Sequence, residues 1–352
     1  IPLQQVAFAA AAFLLALQSA VVLHDILAEM AAGRNFRNLY RNPAMLELAA
    51  RREARDPFRV ATVAEFSAGR YRLHPGYAWA CGLESADGYV NMYSRRYHQF
   101  WSVLIDPVSR YGMEPLSRFR KGYHRLYLLA PGGDSAGGPH EPVPADCFRP
   151  ALLSLANVRY VLSPRPLDMD GMVPAAPASL ALQRAWQTRP LRDKLYRLIR
   201  GEYPGEPLYV YENLGVLPRA FLVGRVITFQ GEEQLLHALS RATRNDLAAT
   251  AYIMHADAQG LSLRPGGGEG GSVGIRDYRA DRITLDVDAR SDSVLVVTNN
   301  YSPFWKAHVD GRQVPVFPAD HAFQGLAVPR GRHTVVLSYE PPWAAAPRLF
   351  LR

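Results

Sequence analysis

The last part of the sequence consists of short alternating segments, and this pattern constrains the fold more than any other feature. From Ser272 onward, runs rich in β-branched and aromatic residues are separated by turn residues at regular spacing. Asp310-Gly311 is typical of a tight hairpin between two of these runs, and PRGRH at 329–333 indicates the last turn. Short strands in this arrangement are typical of an antiparallel β-sandwich. We therefore predict a β-sandwich domain over residues 261–341.

One of these segments, FWKAHV at 304–309, places a tryptophan beside a lysine. Its alternation predicts one packed face and one solvated face. Trp305 is then most simply a core anchor. The alternative is that its ring stacks on a carbohydrate, so Trp305 is kept as a candidate ligand-binding residue.

Residues 29–260 mix helical and strand patterns. Pro43 predicts the first turn of a helix, and FRVATV at 58–63 alternates as a strand. Further strands are predicted at 158–163, 208–213 and 219–229, and further helices at 152–157, at 178–200 with a break at Pro190, and at 232–253. The predicted fold class is α+β, with a mixed α/β domain followed by the C-terminal antiparallel β-sandwich.

The segment GLESADGYVNMYSRRYHQFW (82–101) combines aromatic and basic residues. Four aromatic residues recur at every fourth position: Tyr89, Tyr93, Tyr97 and Trp101. This spacing predicts a helix with an aromatic face, and Arg95 and Arg96 lie between the rings. One interpretation is a platform for a sugar ring or a phosphate. The other is a stripe that packs against the core while the arginines face solvent.

Residues 6–23 form an apolar run in which Gln18 and Ser19 are the polar interruptions. Its length is about what a helix needs to cross the hydrocarbon core, and it lacks the basic n-region of a secretory signal. The alternative is a buried helix of a soluble domain. The tail PPWAAAPRLFLR starts another apolar segment, with a tryptophan suited to a membrane interface. We therefore predict the end of a transmembrane helix at 1–28, the α/β domain at 29–260, and the start of a following membrane segment at 342–352.

The net charge of +8 comes almost entirely from arginine. A basic surface suits nucleic acid, anionic lipid or phosphorylated substrates. The arginines are spread along the chain, however, and no zinc-finger, basic-zipper or RNA-recognition signature is present. We therefore predict no nucleic-acid binding.

The sequence contains no self-contained catalytic or metal motif that we recognise. The G-x-G-x-x-G match at 266–271 is followed by a strand pattern instead of a helix, which favours a linker. The turn from Asp168 to Gly171 lacks the remaining ligands of a calcium loop. No cofactor is evident, although a divalent metal in the full-length protein stays open. Cys81 and Cys147 form either one disulfide or two free buried thiols.

Four segments of the sequence also carry a resemblance to a known family. The run from Leu295 to Pro342 combines a tryptophan strand, the Asp310-Gly311 hairpin and a glycine–histidine turn at Gly331 and His333. Upstream stand GLESADGYVNMYSRRY, LANVRYVLS and YVYENLGVLPRAFLV. In order and spacing these segments resemble YfhO-like bacterial membrane proteins, which belong broadly to the multi-spanning glycosyltransferases of the C superfamily.

The resemblance implies a role in glycosylating the cell envelope. Such proteins are similar to transferases that move a sugar from a polyprenyl-phosphate donor to an envelope acceptor. Their catalytic carboxylate lies in the first extracytoplasmic loop, which would precede Ile1, so this region is not expected to contain a complete catalytic site. The implied partners are the lipid bilayer, the lipid-linked sugar donor and an envelope glycan acceptor.

The implied location is the extracytoplasmic side of the bacterial cytoplasmic membrane. The candidate ligand-binding residues are Tyr89, Arg95, Arg96, Tyr97 and Trp305. The alternative function is a non-catalytic envelope module that binds a glycan or a partner protein.

Overall fold

The structure is a computed structural model that describes most of the chain. The described residues are 3–31, 40–64, 66–67, 70–71, 73–89, 93–112, 116–117, 119, 125–130, 142–144, 146–175, 185–186, 188–200, 208–259 and 270–342. Their helices are α1 (Leu3–Ala31), α2 (Pro43–Ala50), α3 (Gly76–Ala80), α4 (Arg95–Ile105), α5 (Pro150–Leu155), α6 (Leu191–Ile199), α7 (Glu232–Arg241), α8 (Arg244–Ala249) and α9 (His255–Ala258). A 3₁₀ helix, Asp106–Tyr111, continues α4.

The strands form six sheets. The strands of the first half are β1 (Arg59–Ala64), β2 (Phe66–Ser67), β3 (Arg70–Tyr71), β4 (Gly88–Tyr89), β5 (Arg125–Leu126), β6 (Leu128–Leu129), β7 (Val158–Ser163), β8 (Met172–Pro174), β9 (Tyr209–Asn213), β10 (Ala220–Val223), β11 (Arg225–Phe229) and β12 (Thr250–Met254). Those of the second half are β13 (Gly271–Tyr278), β14 (Arg282–Ala289), β15 (Ser293–Asn300), β16 (Trp305–Val309), β17 (Arg312–Val314), β18 (Phe317–Ala319), β19 (Phe323–Val328) and β20 (Gly331–Tyr339).

Helix α1 is long, apolar and exposed. The span Gln4–Ile26 is long and apolar enough to cross a membrane, and none of its most apolar window is buried against the rest of the protein. A buried core helix would have its apolar side chains covered, so the exposure agrees with the membrane interpretation and not with the soluble alternative. The helix extends to Ala31, slightly beyond the predicted end at residue 28.

The first large sheet has the order β6-β1-β7-β9-β8. β1 lies inside it and pairs in parallel with both β6 and β7, whereas β9 runs antiparallel to β7 and β8. Residues on the two faces of β1 belong to different core clusters, Ala61 and Val63 to one and Val60 to the other, which also includes Phe58 just before the strand. This mixed, two-sided sheet confirms the predicted α/β region.

The aromatic–arginine segment is a strand followed by a shorter helix, and not one helix from Tyr89. Gly88 and Tyr89 pair with the strand at 125–126, and α4 begins at Arg95. The Ser94 side chain accepts a hydrogen bond from the backbone N–H of Tyr97, which is the usual cap of a helix N-terminus. The four-residue spacing therefore predicted the helix correctly but extended it too far toward the N-terminus.

Two other sequence predictions are also corrected by the fold. The predicted strand at 219–229 is two strands in different sheets, β10 beside β15 and β11 beside β12. The predicted helix at 232–253 is two helices, α7 and α8, and the chain enters strand β12 after Ala249. Apolar periodicity does not distinguish a buried strand from a buried helix over so few residues.

The C-terminal region is built from two antiparallel sheets that share one core. One sheet has the order β13-β14-β20-β16-β17, and the other has the order β10-β15-β19-β18. Their facing side chains form a single apolar cluster that includes Leu222, Leu285 and Val335. β10 precedes the predicted domain boundary at residue 261, so the sandwich takes one strand from the upstream region.

The shorter sheet of the sandwich is buried on both faces. Leu295 and Val297 of β15 face the sandwich core, whereas Val294 and Val296 pack in the core of the upstream domain. The uninterrupted apolar run of SVLVV is explained by this double burial. The two regions are consequently packed together across this sheet.

The hairpin at Asp310-Gly311 and the turn at Gly331–His333 support each other. Asp310 and Gly311 both have positive φ, as a two-residue hairpin of the primed type requires. The Asp310 carboxylate contacts His333 Nδ1 at 2.7 Å and accepts the backbone N–H of Thr334 at 2.9 Å. These residues of the family resemblance thus maintain the sandwich.

The asparagines of the upstream segments are structural as well. Asn157 has a positive φ of 58° and donates through Nδ2 to the Leu217 carbonyl at 2.8 Å. Asn213 donates to the Val158 carbonyl at 3.0 Å. Both are buried, so they bond backbone groups that water cannot reach.

Candidate functional site

Helix α4 lies where the upstream domain meets the sandwich. Its buried face carries Tyr97, Phe100 and Trp101. Phe323 of β19 packs edge-on against Phe100 and Tyr97, with ring centroids 4.9 and 6.3 Å apart. The aromatic face is therefore a packed stripe that joins the two regions, and it brings the first turn of α4 to their junction.

The two arginines of the first turn are each paired with a carboxylate from another helix. Arg95, whose side chain is 82% exposed, lies 3.3 Å from Glu232 at the start of α7. Arg96 lies 2.9 Å from Asp257 on α9. Arg96 Nη1 has no hydrogen-bond partner within the described part of the chain. Exposed ion pairs are weak, so Arg95 is free to exchange Glu232 for a ligand.

The β18–β19 turn brings two buried titratable residues to the same helix. Asp320 and His321 have positive φ, 48° and 70°, and both are almost completely buried. Positive φ at consecutive non-glycine residues is uncommon and is found where surrounding contacts enforce it. Here the Asp320 backbone N–H donates to the Tyr252 carbonyl, and the Asp320 carboxylate accepts the Tyr252 N–H at 2.9 Å.

His321 is connected to the surface through Gln99 of α4. Gln99 Nε2 donates to Glu232, so Gln99 Oε1 faces His321 Nε2 at 3.0 Å and accepts a hydrogen bond from it. This arrangement places a proton on Nε2, and Nδ1 has no hydrogen-bond partner among the described residues. Burial, and secondarily the charge of Arg96, lowers the pKa of His321 to about 4.

The pKa of Asp320 is shifted in the opposite direction from that of His321. Burial raises the pKa of Asp320 to about 7, although the hydrogen bond from Tyr252 favours the charged form. Its Oδ2 has no hydrogen-bond partner among the residues that the structure describes. A buried acid and a buried base with shifted pKa values in one turn are typical of functional sites.

We define the junction site as Arg95, Arg96, Gln99, Glu232, Asp257, Asp320 and His321. Chemically it offers the exposed guanidinium of Arg95, a buried unpaired donor on Arg96, and a hydrogen-bonded path from Glu232 through Gln99 to His321. No group of three acidic, histidine or cysteine residues is placed to bind a metal ion within the described ranges.

The predicted ligand-binding residues are only partly brought together. Arg95, Arg96 and Tyr97 share the first turn of α4, but the Tyr97 hydroxyl is buried and donates to the Ala86 carbonyl. Tyr89 lies on β4. Trp305 is in the sandwich core, 8% exposed, with its ring 5.4 Å from that of Tyr339. Their roles in ligand binding stay predictions.

Several residues of the junction site were not predicted from the sequence. Asp320 and His321 separate two short strands, as turn residues commonly do, and nothing in the sequence marks them as buried. Asp257 lies in a four-residue helix with no motif. Both cysteines are free, and they lie in separate core clusters.

Comparison with known proteins agrees with the location of the sandwich. Residues 269–346 match the family model described as bacterial membrane protein YfhO. No curated protein and no solved structure matches the chain. Together with the exposed apolar helix α1, the match supports a membrane location and a similarity of this part of the chain to YfhO proteins.

Proposed function

We propose that this chain is the extracytoplasmic domain of a polytopic, glycosyltransferase-like membrane protein. The whole protein would transfer a sugar from a polyprenyl-phosphate donor to a cell-envelope acceptor. The observation that carries the proposal is the pair of arginines at the junction site, one exposed and one with an unused donor, in a chain with an apolar helix able to cross a membrane. Guanidinium groups recognise phosphate oxygens with two parallel hydrogen bonds.

The role of the chain in this reaction is to bind and orient, not to abstract a proton. Glu232 and Asp257 are each paired with an arginine, which disfavours either carboxylate as a general base. The catalytic carboxylate would be supplied by a segment outside these 352 residues and would act as base on the acceptor hydroxyl.

Transfer from a labelled polyprenyl-phosphate sugar, measured in membranes that contain the full-length protein, tests the proposal. Arg95→Ala and Arg96→Ala should each reduce transfer by about tenfold or more, because each removes a charge-assisted hydrogen bond to phosphate. Arg276→Ala is the matched control, since Arg276 forms an exposed ion pair with Asp286 on the sandwich surface. Unchanged transfer in both junction variants would refute the binding role.

The predicted sidedness has its own test. Leu214 is 65% exposed, and the two native cysteines are buried. A Leu214→Cys variant should therefore be labelled by a membrane-impermeant maleimide in intact cells with a permeabilised outer layer. Labelling that requires disruption of the cytoplasmic membrane would place the domain in the cytoplasm.

A second candidate function is a non-catalytic module that binds envelope glycan. It is favoured by an open groove of about 430 Å³ on the outer sheet of the sandwich, lined by Ser272, Asp286, Asp288, Arg332 and Thr334 among others. Hydroxyl, carboxylate and guanidinium groups suit a ligand rich in hydroxyls. The test is binding of the full protein to a glycan array. Binding that is lost in Asp288→Ala and retained in Arg95→Ala would favour this function over transfer.

A further inference from the structure

A second polar cluster lies between the first sheet and the sandwich, away from the junction site. It consists of Arg59 on β1, Glu84 before β4, Arg219 before β10, Tyr278 on β13 and Asn299 on β15. We call it the arginine cluster. Both arginines are buried, and Glu84 is partly exposed.

A bulge in β15 brings the sandwich to this cluster. The pairing of β15 with β19 shifts between Val297 and Asn300, so Thr298 and Asn299 leave the ladder. The Thr298 backbone N–H then donates to the Arg219 carbonyl at 2.9 Å. The Thr298 carbonyl accepts from Arg59 Nη1, and the Asn299 Oδ1 accepts from Arg59 Nη2 at 3.1 Å.

Arg59 uses all three nitrogens of its guanidinium. Besides the two bonds to the bulge, its Nε donates to Glu84 at 2.9 Å. Arg59 therefore connects β1 to the sandwich through hydrogen bonds, and its role is structural.

Arg219 uses only one nitrogen. Its Nη1 lies 2.9 Å from Glu84 Oε1 and 3.4 Å from Asn299 Oδ1. Nε and Nη2 are fully buried and have no hydrogen-bond partner among the described atoms. These two nitrogens form one in-plane edge of the guanidinium, the edge that holds a carboxylate or phosphate by two parallel bonds. The ring centroid of Tyr278 lies 5.3 Å from Arg219 Cζ.

The charges of the arginine cluster are also unbalanced. Two guanidinium groups face one carboxylate, because Glu84 accepts from Arg59, Arg219 and the Tyr278 hydroxyl. Burial, together with the nearby charge of Arg59, lowers the pKa of Arg219 to about 10. The adjacent carboxyl of Asp87 is no full counter-charge, since burial raises its pKa to about 7.

Unpaired donors and excess positive charge in one buried place favour the binding of an anion. A buried donor without a partner is strongly unfavourable, and buried charges in proteins are almost always paired. We propose that the free edge of Arg219 binds a single oxyanion group, a phosphate or a carboxylate, and that the bound anion holds the sandwich against the upstream domain. The partly exposed Glu84 marks the side from which the anion enters.

This site does not rest on the proposed transfer function. A free phosphate, a small carboxylate or the phosphate of a lipid carrier would present the same oxygens to Arg219. The anion would serve equally in a transferase and in a binding module. The two sources, soluble and lipid-linked, are separated by the choice of probe.

The test measures the midpoint of thermal unfolding, Tm, of the full-length protein in detergent. Sodium phosphate and sodium acetate are titrated against sodium chloride at equal ionic strength. Phosphate or acetate should raise Tm saturably, because an anion that binds only the folded protein stabilises it. In a second series, phosphatidylcholine vesicles that contain polyprenyl phosphate replace the salts. A rise in Tm that occurs only in this second series would show that the bound anion is the phosphate of a lipid carrier.

Three variants locate the effect. Arg219→Lys keeps the charge but loses the two-donor edge, and it should require about tenfold more anion for the same rise. The surface control Arg276→Lys should behave like the unaltered protein. The Arg95→Ala, Arg96→Ala double variant should retain the part of the rise that Arg219→Lys loses. Loss of the effect in the double variant, with retention in Arg219→Lys, would move the anion to the junction site and overturn the proposal.

The proposal stays testable if Arg219→Lys does not fold. Glu84→Gln removes the carboxylate that pairs with Arg219 Nη1. The phosphate concentration that gives half of the full rise in Tm should therefore fall several-fold. An unchanged half-effect concentration would contradict the site. In the unaltered protein, the absence of any rise beyond that in chloride would overturn it outright.

Discussion

Asp320→Asn should change the way in which stability depends on pH. The carboxyl of Asp320 is fully buried, and its pKa in the folded protein is raised from 3.8 to about 7. Folding therefore favours the protonated form. The unfolded chain releases this proton near pH 4, whereas the folded protein keeps it until about pH 7. The contribution of Asp320 to stability is thus greatest below pH 4 and declines as the pH rises through this window.

The magnitude follows from the size of the shift. A difference of roughly three pH units corresponds to about 4 kcal/mol of unfolding free energy lost between the two limits, because each unit contributes about 1.4 kcal/mol. Asparagine has no proton to release and keeps an oxygen that accepts the Tyr252 N–H. The slope of stability against pH should therefore be smaller in Asp320→Asn by up to about 1.4 kcal/mol per unit. Above pH 7 the variant should be more stable than the original protein.

The assay is urea unfolding of the full-length protein in detergent at a series of pH values, followed by the fluorescence of the buried Trp101 and Trp305. Asp87 retains its own slope in this window, since burial also raises its pKa to about 7. Asp193→Asn is the control. The hydrogen bond from Arg189 lowers the pKa of Asp193, so this carboxyl changes its protonation only in more acidic solution. Equal slopes for Asp320→Asn and the original protein would refute the reasoning, since they would show Asp320 ionised in the fold at its ordinary pKa.

Two substitutions test the packing that positions these sites. A Cβ at Gly325 would lie 2.6 Å from the ring of Phe317, so Gly325→Ala should destabilise the protein by about 1–3 kcal/mol. Gly274→Ala, whose nearest atom would be 3.9 Å away, should have little effect, and equal losses in the two variants would contradict the steric explanation. Asn157→Ala removes the bond to the Leu217 carbonyl at a positive φ and should cost about 2–4 kcal/mol in urea unfolding. A loss below about 0.5 kcal/mol would show that water replaces the side chain.

Local patterns in the sequence were sufficient for many of the regular elements. The short strands of the sandwich, the Asp310-Gly311 hairpin and the apolar helix α1 are predicted and confirmed. Each depends on side chains close in sequence: alternation for a strand, a turn pair for a hairpin, and length and apolarity for a helix. The aromatic stripe of 89–101 was predictable as a helix only from Arg95 onward, because the serine cap and the pairing of β4 compete with the four-residue spacing.

The sites were decided by contacts between residues far apart in the chain. His321 meets Gln99, and Arg59 meets Asn299, across more than 200 residues in each case. The strand β10 joins the sandwich from upstream of its predicted boundary because its apolar side chains complete both cores. The periodicity of a segment reports which of its faces is buried but carries no information on which partner covers that face. The sequence by itself therefore determined many of the elements, whereas the tertiary structure alone decided where the others end, which charged side chains are buried, which are paired, and which retain a free donor.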